Sequence, residues 1–449
     1  MSDAGAARPP ATPEQTWFGQ PRGLTILFLT NMWETFSYYG MRALLVYYMT
    51  RTLLLEQETS SLIYGFYTAF AYFTPIIGGT IADRWLGKRR AVIAGATIMA
   101  AGHFMMAFEP AFYVALATIA LGNGLFLPTL PSQINDLYSA GDPRRPWAYN
   151  VYYVGVNLGG FLAPLVCGTL GELYGWHWGF GAAGVGMLAG LAIYVAGAKY
   201  LPPEPPRGRA AALARPAPAS GSGQVYFLLL AVGLAVTVFR GAYEQVGNTV
   251  ALWAASGVDR AAGAFTIPMT WFQSLNPLLV ILMTPALLAR WKRRAAAGRE
   301  HSPMQKMATG AAIVAAAYLL LAGASVLTGD AQASWLWLAG FFLIFTLGEL
   351  YILPNGLGLF ARLAPPRFGA TTVAAWYLAI FTGSLTAGLV GTLWSAMSHA
   401  AFFVMLAVIA IAAAGLLLAL DRPARRVLAA RETADEEALS PEPMMRSGR

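Results

Sequence analysis

Charge is what this sequence has least of. Only 12% of its 449 residues are Asp, Glu, Lys or Arg, while 57% are hydrophobic; a soluble domain carries roughly 25% charged residues. That scarcity argues against a water-soluble domain. Cysteine is almost absent: Cys167 stands alone, which excludes a disulfide framework and a cysteine-based metal site. The histidines His103, His177, His301 and His399 are far apart in the chain, so no metal and no cofactor are expected. A clustered nucleophile or acid–base pair is missing too, so the chain is not expected to be an enzyme. It lacks the basic surface interleaved with aromatics that nucleic acid requires, and its loops are too short for the folded output domain of a sensor. Residues 1–23 are polar and proline-rich without an apolar core, which is not the pattern of a cleavable leader.

What the chain does have is long apolar runs. A membrane-spanning helix needs ~20 largely apolar residues. Runs of that kind lie at 24–50, 61–82, 90–108, 111–138, 147–171, 176–199, 224–255, 264–290, 304–327, 333–361, 368–396 and 398–420. The expected fold is therefore an all-α polytopic membrane protein with twelve transmembrane helices. Internal prolines such as Pro128, Pro164, Pro277 and Pro354 are tolerated because neighbouring helices re-satisfy the backbone. Arg42 and Arg240 fall inside apolar runs, and Arg51 and Arg260 in loops after odd-numbered runs. The run ends being approximate, all other Lys and Arg residues fall in the termini or in, or at the edge of, loops after even-numbered runs. Positive charge marks the cytoplasmic side, so both termini are expected inside a bacterial inner (plasma) membrane. The net charge of +8 is then a topology signal, with anionic lipid headgroups as its partner. Residues 201–223 are rich in Pro, Ala and Gly and read as a flexible linker. It separates two six-helix halves, 24–200 and 224–420, flanked by tails 1–23 and 421–449. That layout resembles the major facilitator fold, whose substrate site lies at the midplane between the halves.

The few charges inside the apolar runs are the functional candidates, because a charge in the bilayer is costly and usually faces a water-filled path. In the first run, Asn31, Glu34, Tyr38 and Arg42 share a helical face through steps of three and four, with Thr35 at its border and Tyr39 nearby. Tyr47 and Tyr48, further on, read as packing or interfacial aromatics. In the seventh run Arg240 and Glu244 are four apart and adjacent, and Asn248 continues that stripe. Their bland reading is a local ion pair; the sharper one is a positive charge placed for substrate. Glu349 in the tenth run has no evident cation. A buried carboxylate of that kind tends to take a proton.

Several motifs carry a family resemblance. Residues 31–40, N-M-W-E-T-F-S-Y-Y-G, are similar to the E-x-x-E-R-F-x-Y-Y-G signature of the proton-dependent oligopeptide transporters, the POT family. Tyr149–Phe161 resembles that family's second signature. Further stretches also resemble the family: Gly122–Pro128, Gly175–Gly181, Tyr243–Gly247, Trp271–Pro277 and Leu347–Tyr351. The loop Gly78–Arg90 resembles the major facilitator gating motif, with Asp83 and Arg84 as its acid and base; a basic loop set by topology alone would look much the same. The resemblance implies that Glu349 receives a substrate ammonium, helped by Asn157 and Asn276. It also implies that Glu244 is a protonatable partner of Arg42, and that Tyr72 and Trp376 line the cavity, where packing is the alternative for both.

The departures weigh as much. Asn31 and Thr35 stand where the signature has an acid and an arginine, and Leu127 where relatives carry a lysine. The cations that would clamp a substrate carboxylate are gone, and Leu cannot replace them without another counter-charge. Either Arg42 or Arg240 takes that role, or the substrate lacks a free carboxylate. The expected function is secondary transport by a monomer, namely proton-coupled uptake of di- or tripeptides or peptide-like amines through Glu34, Glu244 and Glu349. The alternative is an uncoupled carrier or exporter of modified peptide-like compounds.

Overall fold

Where no water can satisfy a backbone, helices pair every N–H and C=O within one segment, and this chain is folded accordingly. The computed structural model describes residues 16–17, 19–139, 142–204, 223–363 and 369–428; the two expected tails and the expected linker lie mostly outside them. The first half comprises α1 (Arg22–Arg51), α2 (Gln57–Ile81), α3 (Lys88–Met105), α4 (Phe112–Phe126), α5 (Thr129–Asp136), α6 (Arg145–Ala163), α7 (Thr169–Tyr174) and α8 (Trp176–Gly197). The second comprises α9 (Gly223–Tyr243), α10 (Thr249–Ser256), α11 (Trp271–Ala296), α12 (Pro303–Thr328), α13 (Trp335–Leu363), α14 (Gly369–Gly391) and α15 (His399–Ala419). Among the described residues, nine helical spans are long and apolar enough to cross a membrane, so the protein is a multi-pass membrane protein. The long helices outside that set are α1, α2 and α3, which carry the polar and basic residues that lower their hydropathy.

Proline shapes the joints. Pro128 separates α4 from α5, and Pro164 opens a π-helical turn, Pro164–Gly168, between α6 and α7. A proline has no N–H and its ring crowds the carbonyl four residues back, so the ladder widens or breaks there. Between α9 and α10 the chain tightens into a 3₁₀ turn, Glu244–Gly247, followed by Asn248 at φ −112°, ψ −95°. Asn248 therefore leaves the stripe that helical spacing assigned to it.

The eighth span starts later than its apolar run. Residues from 264 were expected to be helical, yet Ala261–Ala262 and Phe265–Thr266 form an antiparallel hairpin, and α11 begins at Trp271. Gly263 sits at φ +67°, a conformation that suits glycine, and turns the chain back. A short apolar run does not distinguish strand from helix by itself. Just before it, Val258–Asp259 pairs in parallel with Ala333–Ser334.

The halves meet along α2 and α14, and along α6 and α11. At the first seam Gly65 and Gly388 bring two backbones together; a Cβ on Gly65 would lie 2.5 Å from the Gly388 Cα. A valine at Gly388 has no room while this seam is shut, and overpacking typically costs ~1–3 kcal/mol. Gly388→Val is thus expected to expose the neighbouring Ser61, which is 0% accessible. Labelling of a Ser61→Cys variant by a membrane-impermeant maleimide measures this: the rate should rise roughly tenfold or more, taking ~1.4 kcal/mol per decade. An unchanged rate would show that the seam does not control access.

Candidate functional site

Three charged side chains meet where the halves touch. From α1, Arg42 donates through Nη2 to Oε2 of Glu244, and through Nε to the Tyr64 hydroxyl at 2.7 Å. From the last turn of α9, Arg240 donates through Nη2 to the other oxygen, Oε1, of the same carboxylate. Glu244 and Arg240 are almost fully buried, while the Arg42 side chain keeps 11% of its surface accessible. Both guanidiniums lie over aromatic faces. Arg42 sits 5.8 Å from the Tyr39 ring and 5.4 Å from Tyr64; Arg240 sits 5.4 Å from Tyr72 and 5.1 Å from Tyr243. Ring quadrupoles stabilise such cations when they are desolvated. Two arginines on one carboxylate leave one positive charge in excess.

The matching negative charge stands on α13. Glu349 accepts from the Tyr243 hydroxyl at 2.7 Å and from Asn276 Nδ2 on α11, which also reaches Thr346 Oγ1 at 3.1 Å. Among the described residues its hydrogen-bond partners are neutral donors, and no ion pair reaches it. Tyr243 links the two poles, with its hydroxyl on Glu349 and its ring beside Arg240. Asn157 does not join this group: its Nδ2 donates to the Tyr153 carbonyl of its own helix at 2.9 Å. Trp376 is 5% exposed and packs against Phe360 at 5.2 Å in the core of the second half, as its packing alternative had it. The next residue, Tyr377, lines the crevice instead and stacks on Tyr72 at 6.5 Å.

A cavity of about 290 Å³ opens into the first half, lined by Asn31, Glu34, Thr35, Tyr38, Tyr39, Tyr72, Asn123, Leu127, Tyr152 and Tyr377 among others. No lysine or arginine is among its lining residues. Glu34 accepts a long 3.3 Å bond from Thr35 Oγ1. Asn31 Nδ2 and the Tyr38 hydroxyl are buried without a hydrogen-bond partner among the described residues. The face Asn31–Glu34–Tyr38–Arg42 thus falls where helical spacing put it, with Arg42 turned toward the other half.

The gating loop differs from expectation. Asp83 and Arg84 lie exposed in a π-helical turn, Ala82–Leu86, and among the described residues neither forms an ion pair. The bracing is done by the cations that follow. Lys88 Nζ pairs with Asp136 at 2.6 Å, and Arg89 Nη2 donates to the carbonyls of Leu201 and Pro202 at 2.6 and 3.0 Å. At the opposite end the halves are tied directly. Glu172 accepts from the backbone N–H groups of Met269 and Thr270 and from Thr270 Oγ1. Gln57 Nε2 donates to Gly391 O, Ser61 to Asn248, and Tyr47 to Ala251 O at 2.8 Å. These ties all lie at the end away from Arg22 and Asp421. Glu172, Gln57, Tyr64, Tyr152, Tyr243 and Tyr377 were not singled out from sequence; the tyrosines at 152 and 243 lie inside the quoted motifs, which was their only signal.

Two helical halves, closed on one another at one end around a buried charge cluster, define a membrane carrier of the major facilitator type. Comparison with known proteins makes this specific. The family model PTR2, the POT family, matches residues 89–213 and 226–415. The sequence is 32% identical to the peptide transporter YePEPT of Yersinia enterocolitica, over 84% of this chain and 88% of that one. It is 30% identical to a di-/tripeptide transporter of Lactococcus lactis subsp. cremoris, over 92% and 98%. A crystal structure of a peptide transporter POT in complex with sulfate superposes with a TM-score of 0.85 at 30% identity, covering 93% of this chain and 98% of that one. The chain belongs to the POT family.

Proposed function

We propose that this protein moves short peptides, or amines that resemble them, across a bacterial inner membrane by alternating access. It works as a monomer of twelve spanning helices with both termini in the cytoplasm, and not as an enzyme. The observation that carries the reading is the pair of poles set apart by Tyr243: Glu349 with neutral donors on one side, the Arg42–Glu244–Arg240 cluster with its excess positive charge on the other. A zwitterion with a free ammonium and a free carboxylate complements both. The ammonium goes to Glu349 and Asn276, flanked by Tyr39 and Tyr72. The carboxylate goes to Arg42, the more accessible of the two arginines. The names of the relatives support peptides as the substrate class. The ties between the halves at the end away from Arg22 and Asp421 support a state that faces the cytoplasm. The test is uptake of labelled dialanine into proteoliposomes. Saturable uptake that unlabelled dipeptides compete away supports the proposal; absence of uptake from either side refutes it.

One observation favours a second reading, an uncoupled carrier of modified peptides: the first-half cavity holds Glu34 but no cation. Coupling needs a group whose protonation biases a two-state element, and here the charge balance around Asn31, Thr35 and Leu127 is altered. Accumulation driven by an inward proton gradient is therefore expected to be weak, a few-fold at most. Strong concentrative uptake that persists after substitution of Glu34, Glu244 and Glu349 in turn would contradict this.

A further inference from the structure

We infer that Arg240 is a positioning residue that keeps Glu244 ionised throughout the transport cycle, so that the bridge between the halves is released by a substrate carboxylate taking Arg42 and not by a proton arriving at Glu244. The inference rests on the proposed alternating-access reading and departs from the protonatable role that family resemblance gives Glu244.

The geometry carries it. Arg42 belongs to one half, and Arg240 and Glu244 to the other. When the halves rock apart, Arg42 leaves the carboxylate. In a two-member bridge a buried carboxylate would then stand alone and take a proton, because an arginine cannot surrender one. Here it does not stand alone. Arg240 sits one turn before Glu244, holds its second oxygen and moves with it. The carboxylate therefore has a permanent counter-charge in both states. Protonating it would leave Arg240 buried at 3% exposure without its paired anion, its Nε already lacking a hydrogen-bond partner among the described residues.

Arg42 is the member that must find a new partner. Its side chain is accessible, its Nε stays on Tyr64, and its guanidinium suits a carboxylate bidentately. The other charged or titratable groups around Glu244 do not displace this pairing. Tyr64 and Tyr72 from α2 face the arginines, Tyr318 from α12 donates to the Ala242 carbonyl, and Glu349 from α13 is held by Tyr243 and Asn276.

The test needs no substrate. Arg42→Leu imitates the departure of Arg42. Infrared spectra of the full chain in nanodiscs are titrated across about pH 5–8, a range that brackets perturbed carboxyl groups, and the Glu244 contribution is isolated by subtracting the matching Glu244→Gln variant. Arg42→Leu is expected to show no protonated-carboxyl band from Glu244. Arg42→Leu with Arg240→Leu is expected to show one that titrates, and Arg42→Leu with Arg240→Lys to lose it again. A Glu244 band in Arg42→Leu alone overturns the inference, as does its absence from the Arg42→Leu, Arg240→Leu pair. Dialanine counterflow supplies the functional arm. The parent should vary little with pH, while Arg240→Leu should slow by about tenfold per pH unit as the proton it needs becomes scarce. If no protein shows counterflow, the transport reading fails while the infrared result still decides the state of Glu244.

Discussion

Glu349→Gln is expected to weaken binding of free-amine peptides by about 10- to 150-fold, from the ~1.5–3 kcal/mol that a hydrogen bond to a charged group contributes, and to abolish their transport. The fold should survive. Among the described residues Glu349 has only neutral hydrogen-bond partners, the Tyr243 hydroxyl and Asn276 Nδ2, so the substitution breaks no ion pair there. The glutamine oxygen still accepts from one of them. What disappears is the negative charge that selects an ammonium. N-acetylated peptides, which have no ammonium, should lose nothing further. Affinities of dialanine and N-acetyl-dialanine for parent and variant, measured by calorimetry, decide the matter. Equal dialanine affinity in both proteins would remove Glu349 from the amine site.

Glu244→Gln should act in the opposite sense, on stability more than on selectivity. It deletes the one anion between two arginines that cannot deprotonate, Arg240 almost fully buried and Arg42 partly so. Breaking a buried pair by removing one partner costs ~3–5 kcal/mol, and here two cations are left facing each other. The variant should elute as aggregate or melt far below the parent in detergent. Adding Arg240→Leu removes one of the stranded cations and should recover much of the loss, a non-additivity that a double-mutant cycle measures. A Glu244→Gln protein as stable as the parent would mean that the arginines are hydrated in place and that the cluster is not held together by its charge.

What the sequence could disclose depended on how costly each feature is. Charges inside apolar runs are expensive, so Glu34, Arg42, Arg240, Glu244 and Glu349 stood out against their surroundings, and the structure brings Arg42, Arg240 and Glu244 into one cluster. The helices were legible for the same reason, since apolar length and the placement of Lys and Arg leave few other arrangements. Features set by tertiary contact were not. Asn157 spends its amide on its own helix, which no spacing reveals. Trp376 and Tyr377 are neighbouring aromatics, and a small rotation of α14 decides which one reaches the crevice. Asp83 and Arg84 match a motif, yet Lys88 and Arg89 reach the nearby acid and carbonyls in this state. The hairpin before α11 turns on Gly263, inside residues apolar enough to pass for helix.

The most direct test of the account is competition in one assay: counterflow of labelled dialanine into proteoliposomes, challenged with unlabelled dialanine, N-acetyl-dialanine and dialanine amide. The account predicts strong competition by dialanine, weak competition by the amide, which keeps the ammonium but offers Arg42 no carboxylate, and none by the N-acetyl compound, which cannot satisfy Glu349. Competition by N-acetyl-dialanine equal to that of dialanine would contradict it.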